Sequence, residues 1–209
     1  MSCVISRNCN ILIDTLPLTV EIGGRDIPIY ADFRTGILFE QLVQDAEIDG
    51  REKALAAIEL YFPSDEVEHV LTRIDEASEQ LVWFYACGKE RKGSASAQKQ
   101  NKTAFTKRIY DFDIDAPLIY AAFLAQYGVD LQEVGFLHWW KFCAMFEALT
   151  DDHEITKIMG YRAIDLTGIK NKQEKSRLTK LQARYSLPAI HSTEEKQQIA
   201  GAIFGGAFR

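Results

Sequence analysis

Two short stretches carry side chains that could do chemistry. "YDFDID", Tyr110 to Asp115, places Asp111, Asp113 and Asp115 at alternate positions. Clustered carboxylates of this kind could hold a divalent cation for hydrolysis. "GFLHWWKFCAMFEAL", Gly135 to Leu149, joins His138, Trp139, Trp140, Lys141 and Cys143 on one segment. A histidine beside a cysteine could form a nucleophilic dyad.

Neither stretch completes its chemistry. A calcium loop counted from Asp111 needs glycine at its sixth position and glutamate at its twelfth, and these are Ala116 and Ala122. If Ile109 to Ile114 is extended, the aspartates share a solvated face and Tyr110, Phe112 and Ile114 the other. On a helix, His138 and Cys143 point ~140° apart and cannot meet. Trp139 and Trp140 point ~100° apart, so burying both requires neighbours on more than one side. With Val134, Leu137, Met145, Phe146 and Leu149 they read as a central core helix with His138 hydrogen-bonded in place.

Cys3, Cys9, Cys87 and Cys143 match no zinc or thioredoxin-type spacing, and His69, His138, His153 and His191 are scattered. No phosphate loop, G-x-S-x-G or H-E-x-x-H occurs. The expectation is a protein without metal, cofactor or catalytic residues.

The elements that must position these residues follow from periodicity. Val20, Ile22, Ile27 and Ile29 around Gly23-Gly24 predict a β-hairpin, with Pro28 on an edge strand. Ile37, Leu38, Leu42 and Val43 mark a first helix and Arg51 to Tyr61 a second. A third, with Ser64 as its cap, holds Val67, Val70, Leu71 and Ile74, and Leu81 to Cys87 extends or follows it. Asp115, Pro117 and Gly128 bracket a helix whose stripe is Ile119, Tyr120, Phe123, Leu124 and Tyr127. Capping boxes are expected at Asp130/Glu133 for the tryptophan helix, Asp151/Glu154, Asn171/Glu174 and Ser192/Glu195. Leu178, Leu181 and Tyr185 form a narrow apolar seam on the helix that Asn171 opens.

The fold class expected is α+β, a predominantly helical single domain over 1–188 with an N-terminal β-hairpin. A mobile basic loop, 88–106, interrupts it, because lysine and arginine dominate there and almost nothing apolar is present. Residues 189–209 form a glycine-rich, weakly helical tail carrying Ile203, Phe204 and Phe208.

Composition, 47% hydrophobic and 26% charged, is that of an ordinary globular protein, and no apolar run approaches the ~20 residues that span a bilayer. The first residues lack the apolar region of a signal peptide, so a cytoplasmic location is expected. A net charge of −6 opposes nucleic acid binding, leaving Lys89 to Arg108 as the one segment that could contact it.

"ADFRTGILFEQLVQD", "KRIYDFDIDAPLIYAAFLAQYGVDL", "LHWWKFCAMFEAL", "IMGYRAIDL" and "LQARYSLP", in this order, resemble the bacteriophage gene-product-fifteen family over about Asn10 to Pro188. The resemblance implies a bacterial phage or prophage protein, encoded where tail assembly chaperones are found. It implies a non-catalytic chaperone or accessory factor for the tape-measure protein, working with an adjacent tail chaperone and open to oligomerisation. Such a protein needs exposed apolar surface. The candidates are Leu178, Leu181, Tyr185, Ile203, Phe204 and Phe208, weighed against ordinary packing within the chain. The rival readings are a minor structural virion protein and a metal-dependent hydrolase using Asp111, Asp113 and Asp115.

Overall fold

The computed structural model describes residues 9–45, 47–89 and 108–188. The basic segment from Glu90 to Lys107 and the tail carrying Ile203, Phe204 and Phe208 lie outside the described residues. The contacts of the chain group into two compact units. Among the described residues, the first holds those up to 89 together with 135–144, and the second holds 108–134 and 145–188. The described residues are predominantly helical with one small sheet, as expected for the α+β class.

The first unit opens with β1 (Thr19–Ile22) and β2 (Arg25–Pro28), antiparallel, with Thr19 opposite Pro28 and Ile22 opposite Arg25. Gly23 and Gly24 both have positive φ, 62° and 74°, which is the conformation a two-residue hairpin turn demands. Val20, Ile22 and Ile27 are buried on one face.

Four helices follow among the described residues. α1 (Phe33–Gln44) starts at Asp32, whose carboxylate accepts from Arg34 N–H at 3.1 Å. α1 buries Phe33, Gly36 and Phe39, while Ile37, Leu42 and Val43, which mark its period, are half-buried and Leu38 is exposed. Aromatic partners set that rotation: Phe33 stacks on Phe142 at 5.1 Å and Phe39 meets Tyr61 edge-on at 5.4 Å. α2 (Gly50–Tyr61) is capped by Asp49, and its buried Lys53 reaches the end of α1, donating to the carbonyls of Val43 and Asp45. Those carbonyls lie where α1 runs out of helical donors, so the lysine acts as a C-cap from a neighbouring helix. Burial holds the Lys53 pKa below its ordinary value. α3 (Val67–Leu71) begins after Glu66, Ser64 lying in the preceding turn, and a break at Thr72-Arg73 separates it from α4 (Ile74–Tyr85).

In the second unit, α5 (Ala116–Tyr127) ends on Gly128 with φ 65°, where only glycine is unstrained. Its buried residues are Ile119, Ala122 and Phe123, while Leu124 is exposed. α7 (Glu154–Ala163) and α8 (Lys172–Arg184) complete the unit. Asn171 caps α8 as expected, accepting from Gln173 and Glu174 N–H at 2.9 and 3.2 Å. Gln182 of α8 donates to the carbonyls of Tyr161, Arg162 and Ile164 at 3.1–3.4 Å, closing the end of α7.

Two of the expected capping boxes do not open their helices. α6 (Trp139–Glu147), which begins in the first unit, starts nine residues after Asp130. Asp130 instead closes a turn, accepting from Gln132 N–H at 2.9 Å and from the Tyr120 hydroxyl at 3.0 Å. The N-cap of α7 is His153, not Asp151. Both aspartates have the right spacing to a glutamate, yet the chain between them and the next helix is held by tertiary partners.

Candidate functional site

In the first unit, residues 31–33 pair antiparallel with 137–139: Phe33 N–H donates to the Leu137 carbonyl at 2.8 Å, and Trp139 N–H to that of Ala31 at 2.7 Å. This bridge fixes where α6 begins and leaves His138 just ahead of it. His138 Nδ1 accepts from Trp140 N–H at 3.1 Å, so the imidazole caps the helix. Its Nε2 then carries the proton and donates to the Pro17 carbonyl at 3.0 Å. Burial, then the charge of Lys141, lower the pKa, against the hydrogen bond to Pro17. A neutral ring with both nitrogens committed is a positioning device rather than a general base. His138 is buried and hydrogen-bonded in place, as the core reading expected, but as a cap rather than a helical residue.

The paired tryptophans have a related role. Trp139 Nε1 donates to the Tyr85 carbonyl at 2.9 Å and Trp140 Nε1 to that of Phe84 at 2.7 Å. Both carbonyls lie in the last turn of α4, where helical donors run out. Trp139 also stacks between Tyr85 and Phe142, at 5.3 and 5.7 Å. Gly36 faces its ring, where an added Cβ would overlap the indole. Close by, Tyr61 is fully buried and its hydroxyl has no hydrogen-bond partner among the described residues. Burial pushes its pKa far above the ordinary phenol value.

The aspartates of "YDFDID" do not share one solvated face. Residues 112–115 form a turn, with Asp111 and Asp115 buried and Asp113 exposed. Asp111 Oδ1 accepts from Asp113 and Ile114 N–H at 2.7 and 2.8 Å, and its carboxylate pairs with Arg108. These bonds pull the chain out of the extended form. Asp115 occupies the N-cap position of α5 but makes no capping bond. Its carboxylate is held by both arms of Arg162, Nη1 at 2.5 Å and Nη2 at 3.0 Å, and accepts from Asp111 N–H at 3.0 Å. Arg162 also donates to the carbonyls of Ile109 (3.0 Å) and Tyr185 (2.6 Å). One buried guanidinium thus ties the turn, α7 and the end of α8 together. With a cation already supplied by the chain, the arrangement is a clamp. Among the described residues, no group of three or more His, Cys, Asp or Glu could hold a metal ion.

The seam of α8 faces inward within the second unit. Leu178 is buried, Leu181 and Tyr185 are half-buried, and Tyr185 stacks on Tyr161 at 5.9 Å.

Exposed apolar side chains that sequence reasoning passed over lie in the first unit. Leu12 is 87% exposed, Ile13 80%, Phe136 56% and Leu18 53%. Residues 11–13 sit in a turn closed at both ends. Asn10 N–H donates to Asp14 Oδ2 at 2.7 Å, Leu12 N–H to Asn10 Oδ1 at 3.0 Å, and Ile13 and Asp14 N–H to the Asn10 carbonyl. His138 fixes Pro17, next to Leu18, and the Phe136 ring lies 6.4 Å from that of His138. The legible signal was "NILID", three apolar residues bracketed by two side chains that favour turns. No described helix is long and apolar enough to cross a membrane.

A family model described as Bacteriophage Gp15 protein matches residues 12–187. No curated protein and no solved structure matches the chain.

Proposed function

We propose, for a chain that belongs to the Bacteriophage Gp15 protein family, that it is a non-catalytic tail assembly chaperone or accessory factor. Its client is the tape-measure protein, a long chain that must stay soluble until tail subunits assemble around it. The observation that carries this reading is the turn that holds Leu12 and Ile13 out in solvent, with Leu18 exposed nearby in the chain. Displaying consecutive apolar side chains on a hydrogen-bonded turn is unfavourable in isolation and marks surface that a partner covers. The side chains with reactive groups support the same reading, since His138 and Asp111 hold backbone groups and Asp115 is paired with Arg162.

Co-expression with the tape-measure protein of the same phage tests it. A soluble complex is expected, and Leu12→Asp with Ile13→Asp should return the client to the pellet while leaving the chaperone folded. A client equally insoluble with and without this chain sinks the proposal. Finding the chain in purified virions at fixed stoichiometry would replace it with a structural role.

A further inference from the structure

α8 has a second face, separate from its inward seam. Lys172, Lys175, Arg177, Lys180 and Arg184 are all exposed, against the single Glu174. Arg177, Lys180 and Arg184 fall within ~60° of one another on the helix. Among the described residues none of the five enters an ion pair, although Arg184 lies over its neighbour Tyr185 at 5.6 Å. Like charges at such spacing oppose helix formation slightly, so the stripe is a small cost of the isolated chain.

The first unit carries the opposite sign. Between Glu59 and Glu79 the cations are limited to Arg73, which pairs with Glu76. Glu59, Asp65, Glu68, Asp75 and Glu79 are exposed and unpaired among the described residues. Asp75 and Glu79 stand one turn apart on α4.

We propose that the basic face of α8 docks on the acidic α2–α4 run of a second copy of this chain. A basic patch on one unit and an acidic patch on the other can meet once, head to tail, or twice in a reciprocal two-fold pair. Charge complementarity selects this occupant. A nucleic acid approaching α8 would meet a chain of net charge −6 whose carboxylates repel phosphate. The contact is independent of the tape-measure reading and uses different residues from the apolar turn.

Sedimentation velocity of the full chain tests it at about 0.1 M and about 1 M salt, where charges are screened over ~10 Å and ~3 Å. At low salt the average mass should rise with protein concentration above the 23.7 kDa of one chain, and return to it at high salt. Concentration dependence separates contact between copies from pairing within one chain. Arg177→Glu with Lys180→Glu should be monomeric at both salts, as should Asp75→Lys with Glu79→Lys, and mixing the two variants should restore association. All four residues are exposed, and circular dichroism checks that each variant folds. A chain monomeric at low salt overturns the proposal, as does association that survives both reversals. If Arg177→Glu with Lys180→Glu instead loses binding to a labelled DNA duplex without changing self-association, nucleic acid is the occupant.

Discussion

His138 in the first unit and the Asp115–Arg162 pair in the second are buried by opposite means. In the first, His138 stays neutral and spends both nitrogens on backbone groups. In the second, Asp115 and Arg162 are buried as a charged pair that collects three further hydrogen bonds. A neutral buried ring has a modest desolvation cost, and its failure leaves one donor unmatched. A buried ion pair adds little net stability while complete, but removing one member strands a charge. The second arrangement is therefore more brittle to mutation, whereas the first is sensitive to solution pH.

Three experiments bear on that contrast, beginning with the largest effect. Arg162→Ala should destabilise the second unit by about 3–5 kcal/mol, because Asp115 loses its counter-ion and the Tyr185 and Ile109 carbonyls lose a donor. Urea denaturation measures it, and a loss below about 1 kcal/mol would mean water reaches Asp115.

Gly36→Ala comes next. The added methyl must displace a Trp139 ring already stacked on two neighbours, a strain of about 1–3 kcal/mol confined to the first unit. Loss of indole fluorescence protection should accompany it.

The smallest effect is the pH response of His138. Its folded pKa lies below the ordinary value of about 6.5, so the unfolded chain binds the proton more readily. The stability held by the neutral ring is complete above that value and is lost as pH falls from it toward the folded pKa. The loss should be on the order of 1 kcal/mol, one backbone hydrogen bond, and His138→Gln should remove the slope. An unchanged slope in the variant would assign the titration to another group.

Much of the local structure was legible. The Gly23-Gly24 hairpin, the Asn171 cap and the Gly128 stop follow from φ preferences and side-chain reach over two or three residues. The Asp130 and Asp151 boxes have the same local signature, yet neither opens a helix. In "YDFDID" alternation suggested an extended segment, but short bonds to the Asp111 carboxylate curled it into a turn. Periodicity marked α1 without showing its buried face, because Gly36 looks neutral in a hydropathy pattern although it is the residue that admits Trp139. The exposed turn at residues 11–13 was passed over, although Asn10 and Asp14 bracket it with side chains that favour turns.

By itself, then, the sequence determined which segments become helices or a hairpin, and that His138 and the tryptophans serve the interior. Those outcomes depend on periodicity and on capping groups a few residues away. Tertiary structure alone decided that the Asp32–His138 bridge starts α6, that Asp115 serves Arg162 rather than α5, and that Leu12 and Ile13 face solvent. In the first two cases the deciding partner lies 47 or more residues away, as Asp115 does from Arg162, and no local preference encodes it.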